Sequence, residues 1–266
     1  MTQAERRLYL IRSLLNEKTE YQSLNVPRDA GEQRKLLRSL MNVRMPKVAD
    51  EAFLHVQDEY LQQELADEGI TDLDDLRPVS GDLYLWQGDI TRLKCGAIVN
   101  AANSGMTGCY ISCHACIDNC IHTFAGVQLR QDCAALMAEQ GHEEPTGQAK
   151  ITKAYNLPCD YVLHTVGPIV SGRVTREDER LLASCYRSCL ELAEKNSVRS
   201  IAFCCISTGV FHFPNERAAE IAVETVRRYK VETGSKIKVV FNVFKDLDKT
   251  IYERLHGANC APAARA

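Results

Sequence analysis

Cys95-Gly96-Ala97-Ile98-Val99-Asn100-Ala101-Ala102-Asn103 opens as a near-continuous apolar run and ends on an asparagine just beyond it. A strand with one face in water alternates apolar and polar side chains. This one does not, so it reads as a strand buried on both faces, the pattern of a sheet sandwiched between helices. Its polar end then falls at the carboxyl edge of the sheet, where open α/β sheets bind their ligands.

The flanking sequence agrees. Upstream, Asp82 to Gln87 is a short strand ending at Gly88-Asp89. Downstream, residues 114–140 read mainly as helix, through Ile117, Ile121, Phe124, Leu129 and Leu136. Strands follow over 150–155 and 161–166, then a helix over 176–197, a buried strand over 200–206, a helix over 214–233, a strand over 236–244 and a short helix over 249–255. Strands alternating with helices predict an α/β sheet covered on both faces. The first 78 residues have a different texture. Leu8 to Leu15, Leu36 to Met41 and Phe53 to Leu65 carry apolar residues at helical spacing. Asp29 stands near the start of the second helix, Pro46 ends it, and Gly69 stops the third. An acidic linker, Thr71 to Leu76, leads to Pro78. The expected organisation is a helical extension over 1–78 and an α/β domain over 79–266, with a frayed tail from Ala258 to Ala266.

Composition excludes several classes of function. With 266 residues, 45% of them hydrophobic and 25% charged, the chain is an ordinary globular protein that can bury roughly 75% of its unfolded surface. No apolar run reaches the ~18 residues of a membrane span. Met1 to Glu17 is amphipathic and charged, without the apolar core of a signal peptide. A net charge of -3 speaks against nonspecific binding to nucleic acid. A cytoplasmic monomer with no membrane or nucleic-acid partner is expected. The 12 Cys are unusual. In a reducing compartment most are small buried hydrophobes, such as Cys204 and Cys205. Cys109, Cys113, Cys116 and Cys120, however, crowd into twelve positions together with His114, and His122 follows two residues on.

Three segments after predicted strands can carry chemistry. In Gly88-Asp89-Ile90-Thr91, the Asp89 carboxylate can accept from an exocyclic amine such as adenine N6, or it can simply cap the turn. Ser207-Thr208-Gly209-Val210-Phe211 follows a buried strand and precedes a helix, so its amides can cradle a phosphate, or it is an ordinary tight turn. Asn103, in Asn100-Ala101-Ala102-Asn103, can hold a sugar hydroxyl, or the asparagines stabilise a turn. Taken together, GDIT, NAAN and STGVF resemble the adenine, distal-ribose and pyrophosphate loops of the macrodomains, the ADP-ribose-binding α/β fold. Pro145 to Pro168 and Ile117 to Gly126 also look like that family, and the resemblance spans about residues 82–256. It implies a three-layer α/β/α mixed sheet preceded here by a helical extension. It also implies ligand contacts at Asp89, Ile90, Asn103, Ile117, Asp118, Asn119, Ser207, Thr208, Gly209, Val210 and Phe211.

Between Asn103 and Ile117 the chain departs from the Gly-rich stretch of MacroD-type macrodomains and is similar to the zinc-dependent subfamily. Those are bacterial protein-ADP-ribose hydrolases found alongside a sirtuin-class ADP-ribosyltransferase. Thiolate and imidazole are the preferred zinc ligands. Cys109, His114 and Cys116 supply three from one loop and leave a fourth position open, the catalytic arrangement; adding Cys113 would close the site and make it structural. The resemblance favours the three, with one Zn2+ per chain. Cys120 and His122 fall on a predicted helix, where such residues are more often core, and His164 and His212 read as a core residue and a loop-packing residue. Asn103 and Asp118 are the expected catalytic residues. Asn103 would hold the distal ribose and Asp118 would orient water or ribose, or act as a base; alternatively, Asp118 is only a carboxylate favoured by the helix dipole. The implied activity is zinc-dependent removal of mono-ADP-ribose from protein side chains, ester-linked Asp or Glu foremost. The alternative is a non-catalytic reader of ADP-ribose with a structural zinc. The implied partners are ADP-ribose and a mono-ADP-ribosylated protein, of which a lipoyl-carrier protein modified by the linked sirtuin is one candidate.

Overall fold

The computed structural model describes residues 1–21 and 23–257, so the expected fraying of Ala258 to Ala266 lies outside the described residues. Three helices come first: α1 (Gln3–Asn16), α2 (Ala30–Val43) and α3 (Glu51–Glu68). Each starts at a side-chain cap. Thr2 forms a capping box with Glu5, Asp29 accepts from the Glu32 amide, and Asp50 accepts from the Phe53 amide, each cap contributing about 1 kcal/mol. Their apolar faces meet through Leu10, Ile11, Leu37, Leu40, Phe53 and Tyr60 in a core of their own, which Val127 enters from the neighbouring helix layer.

The strands are β1 (Thr71–Asp72), β2 (Pro78–Ser80), β3 (Leu83–Gln87), β4 (Leu93–Lys94), β5 (Ala97–Ala102), β6 (Ala149–Lys153), β7 (Tyr161–Val166), β8 (Ser200–Phe203) and β9 (Lys238–Val243). The remaining helices are α4 (Ile117–Ala125), α5 (Val127–Gln140), α6 (Arg176–Lys195), α7 (Asn215–Thr233) and α8 (Asp246–Gly257). Seven strands form one mixed sheet in the order β2-β3-β9-β8-β5-β7-β6. The five inner strands are parallel and the two edges antiparallel. β5 sits inside it, flanked by β8 and β7, with Ile98 and Val99 fully buried. Helices α4 and α5 pair on one face, and α6, α7 and α8 pack in series on the other. Among the described residues no helix is long and apolar enough to cross a membrane.

Two expectations need correction. The segment Thr71 to Leu76 is not a free linker. Thr71 and Asp72 pair in parallel with Leu93 and Lys94, and Leu73 is buried in the main core. The helix expected over 114–140 is two helices, broken at Gly126. That residue has φ +100°, and a Cβ there would lie 2.6 Å from Gln57 Nε2, so only glycine fits without strain. Gln57 of α3 makes good the break, its Oε1 accepting the Val127 amide at the otherwise uncapped start of α5. The first of the two helices begins only at Ile117, with Cys116 as its cap, so His114 lies in loop rather than on the helix.

The sheet order sets where a ligand can go. From β5 the chain moves out to β7 and β6; from β8 it moves the opposite way to β9. The loops leaving β5 and β8 therefore diverge side by side and open a crevice at the carboxyl edge. Asp89 after β3, Asn103 after β5, Ser207 after β8 and Phe244 after β9 all fall on that edge.

Candidate active site

A chain of amides links β5 to α4. Asn100, fully buried, donates through Nδ2 to Asp118 Oδ1 at 2.8 Å and to His164 Nδ1 at 3.2 Å. Asn103, at the strand's end, donates to Asp118 Oδ2 at 3.3 Å and to the Gly108 carbonyl at 3.2 Å, while its Oδ1 accepts from the Gly105 amide. Asp118 stands in the first turn of α4, where the helix dipole favours a carboxylate. Burial nevertheless raises its pKa to about 6, against the opposing pull of the Asn100 bond and the Arg130 charge. The two expected catalytic residues thus touch each other.

The loop between Asn103 and α4 brings Cys109, His114 and Cys116 together. Their ligand atoms all lie within 4.8 Å of one another, and Cys109 Sγ is 3.4 Å from His114 Nδ1. All three are half-buried, so the cluster could hold a metal ion and still face the crevice. Burial pushes the Cys116 thiol up to about 12, with the Cys109 sulfur adding to the rise. A second thiolate in this pocket needs a cation beside it, and this donor set suits one. Cys113 is not part of the cluster. It is exposed, and its Sγ donates to the Lys35 carbonyl at 3.4 Å. Asn119 was expected to contact ligand, but its side chain is fully buried. It donates to the carbonyls of Cys109 and Ile111 and so braces the loop from inside. Cys120 stays outside the cluster, half-buried against the Arg38 guanidinium.

A second group of donors, His122, Cys133 and His164, is wholly buried, with ligand atoms as close as those of the first. The hydrogen bonds around His164 argue for a metal-free role. A carboxylate needs a donor, so Asp118 fixes which end of the Asn100 amide faces it. The same nitrogen then makes His164 Nδ1 an acceptor. The ring proton is left on Nε2, where it donates to Thr152 Oγ1 at 2.9 Å. That leaves Nε2 without a free lone pair for an ion. Burial lowers His164 to about 3 and holds His122 well below the usual histidine range, so both rings are neutral.

The loop after β8 is shaped for an anion. Ser207 takes a left-handed φ of +64°, and its buried Oγ has no hydrogen-bond partner. Thr208, His212 and Phe213 use their amides within the loop. Among the described residues, the amides of Gly209, Val210 and Phe211 donate to no protein acceptor, the signature of an anion-binding nest. His212 is exposed and, with φ +57°, shapes the turn. Asp89 does cap its turn, one oxygen accepting from the Thr91 amide and hydroxyl, and Ile90 is buried beneath it. Ile117 is half-buried at the start of α4. Phe244 belongs to none of the three sequence motifs. It is 75% exposed just after β9, and its carbonyl accepts from Gln87, two residues before Asp89. In the sequence Phe244 closes the strand expected over 236–244, whereas β9 ends at Val243 and leaves the ring at the carboxyl edge.

Comparison with known proteins follows the same outline. A family model described as Macro domain matches residues 99–222. The chain is 62% identical over 259 residues to a protein-ADP-ribose hydrolase of Treponema medium, a match covering 96% of this chain and 99% of that one. It is 50% identical over 247 residues to a protein-ADP-ribose hydrolase of Staphylococcus aureus strain MSSA476, covering 92% of each. Among solved structures, the Trypanosoma brucei macrodomain in complex with ADP-ribose superimposes with a TM-score of 0.64 at 31% identity, over 82% of this chain and 94% of that one. The Oceanobacillus iheyensis macrodomain with ADP gives 0.62 at 34% identity, over 69% and 95%.

Proposed function

The chain belongs to the macrodomain family, and on that premise we propose that it is a zinc-dependent protein-ADP-ribose hydrolase that frees mono-ADP-ribose from ester-linked Asp or Glu side chains. One observation carries the metal part of this reading: three soft ligand atoms within 4.8 Å, in the loop that leaves Asn103 and returns at Asp118. Cys109, His114 and Cys116 would hold Zn2+ and leave a position open toward the ligand.

In this reading the crevice takes ADP-ribose lengthwise. The free oxygen of Asp89 accepts the adenine amine, and Phe244 offers its exposed ring as a platform for the base. The diphosphate lies against the free amides of Gly209, Val210 and Phe211. Asn103 orients the distal ribose beside the cysteine-histidine cluster. Bound Zn2+ supplies Lewis acidity to a ribose hydroxyl or a water there. Asp118, gripped by Asn100 and Asn103, is held in one orientation to accept a proton from that hydroxyl or water. Cleavage breaks the bond between the anomeric carbon and the side-chain carboxylate. Water supplies the new hydroxyl, and the freed carboxylate leaves with the substrate protein.

The test is hydrolysis of glutamate-, aspartate- and arginine-linked ADP-ribose side by side, with and without a strong chelator. Release from the two esters should require metal, and the arginine linkage should be spared. Full activity in metal-free protein overturns the zinc reading, and melting on chelation makes the metal structural instead.

A further inference from the structure

Three successive residues of the ligand-bearing loop are fastened to one face of α2. Ser112 Oγ hydrogen-bonds to Ser39 Oγ. The Cys113 amide donates to Asn42 Oδ1 at 2.9 Å. Arg38 Nη2 donates to the His114 carbonyl at 2.9 Å and also reaches Asn119 Oδ1 at 3.3 Å. Positions 38, 39 and 42 are neighbours on a helix surface, so a single face makes all three contacts. The central anchor is fixed from behind. Asn42 is almost wholly buried and donates to Thr123 Oγ1 of α4 at 2.7 Å. Arg130 of α5 donates to the carbonyls of Met41, Asn42 and Arg44, closing the end of α2. Its guanidinium also lies 4.5 Å from the ring of Tyr110, the residue after the first ligand.

The loop needs this support. Cys113 has φ +51°, a left-handed conformation that a side-chain-bearing residue adopts at a cost. Its amide points away from the cluster and into Asn42. The kink at Cys113 turns the chain so that His114 and Cys116 face back toward Cys109. Inside the loop the His114 amide donates to the Ile111 carbonyl and Asn119 braces the carbonyls of Cys109 and Ile111, and α2 adds the outer anchors at Ser112, Cys113 and His114.

We propose that α2 is a positioning element of the metal centre: Asn42 and Arg38 fix the backbone on either side of His114 and thereby set metal affinity. This rests on the metal reading above. It gives the extension a task beyond covering the domain, and it places the metal's outer shell on helices the sequence assigns to another unit. Arg38 and Asn42 grip the backbone around the ligand, as the hydrogen-bond partners of a metal-bound histidine usually grip its ring.

The experiment uses the full chain, stripped and titrated with Zn2+ against a chromogenic chelator, in wild type, Asn42→Leu, Arg38→Met and Arg38→Lys. ADP-ribose binding is measured by calorimetry on the same metal-free proteins. Asn42→Leu and Arg38→Met should each weaken Zn2+ binding about 10- to 100-fold. Arg38→Lys should recover part of the loss, since a donor to the His114 carbonyl remains. ADP-ribose affinity of the metal-free forms should stay at the wild-type value. Unchanged Zn2+ affinity overturns the inference. So does a matching loss of ADP-ribose affinity, which would mean that α2 props the whole crevice. If Asn42→Leu does not fold, Ser39→Ala combined with Arg38→Met makes the same comparison from the half-exposed side of the contact. A wild-type chain that binds no Zn2+ fails the metal reading itself, and the inference falls with it.

Discussion

Asn100 Nδ2 is shared between Asp118 Oδ1 at 2.8 Å and His164 Nδ1 at 3.2 Å, so one buried amide joins a crevice carboxylate to a core histidine. Asn100 and His164 are also direct partners in the β5–β7 ladder, which places the two side chains next to each other on the same face of the sheet. Core packing and the crevice therefore meet at a single residue.

Removing that amide should damage both. Asn100→Ala strands two buried acceptors, each costing about 1–3 kcal/mol when left without a donor. Urea unfolding should show a loss of about 2–6 kcal/mol, and hydrolysis should fall because Asp118 is no longer held. A variant as stable as wild type would mean that water replaces the amide and the coupling is loose.

Acid should destabilise the chain through its buried histidines. Burial lowers His164 to about 3, so the folded chain keeps the ring neutral, whereas an unfolded histidine protonates near 6.5. Between those values only the unfolded chain binds the proton. Stability is thus fully present above pH 6.5 and declines as pH falls toward 3. The loss from His164 should reach about 2 kcal/mol by pH 5. His122, held low for the same reason, adds to the slope. Urea midpoints from pH 7 to 5 should fall less steeply in His164→Gln than in wild type; parallel slopes would remove His164 from this account.

Most of the fold was legible because burial leaves a period in the sequence. β5 announced itself by lacking alternation, and the helices of the extension by recurring leucines. The break at Gly126 was not legible, since a lone glycine in a helical pattern is usually tolerated. What forbids a side chain there is a φ of +100°, and Gln57, nearly seventy positions away in sequence, crowds the place a Cβ would take. The ligand set could be narrowed by residue type and spacing, but spacing alone left Cys113 open. Its place outside the cluster depends on Asn42 and Lys35, contacts from a helix whose sequence shows only an amphipathic stripe. A ligand contact at Asn119 is what the macrodomain resemblance implies. Helix geometry turns its neighbour toward Asn100 and turns Asn119 inward to the loop carbonyls.

Phe244 should be an affinity residue with little part in stability. Stacking of a base on an aromatic ring contributes about 1–3 kcal/mol, so Phe244→Ala should weaken ADP-ribose binding on the order of tenfold or more. The ring is 75% exposed and buries little, so thermal stability should not change. Calorimetry and a melting curve on one preparation decide it. Wild-type affinity would move the base elsewhere along the crevice.

The two central cysteines of the loop should separate cleanly. Cys116 shares the pocket of Cys109 and His114, while Cys113 faces solvent and the Lys35 carbonyl. Cys116→Ala should abolish stoichiometric metal, read by inductively coupled plasma mass spectrometry, and lower kcat on the order of 100- to 1000-fold, the size of losing one electrostatic stabiliser. ADP-ribose should still bind, because the nest at Gly209 to Phe211 and the Asp89 turn lie on other loops. Cys113→Gly keeps the left-handed backbone at that position without strain, and it should retain one metal per chain and near wild-type hydrolysis. Loss of metal in Cys113→Gly would make Cys113 a fourth ligand. The site would then be closed, and a closed tetrahedral site has no vacancy for water or ribose; hydrolysis would have to proceed through Asp118 and Asn103 alone.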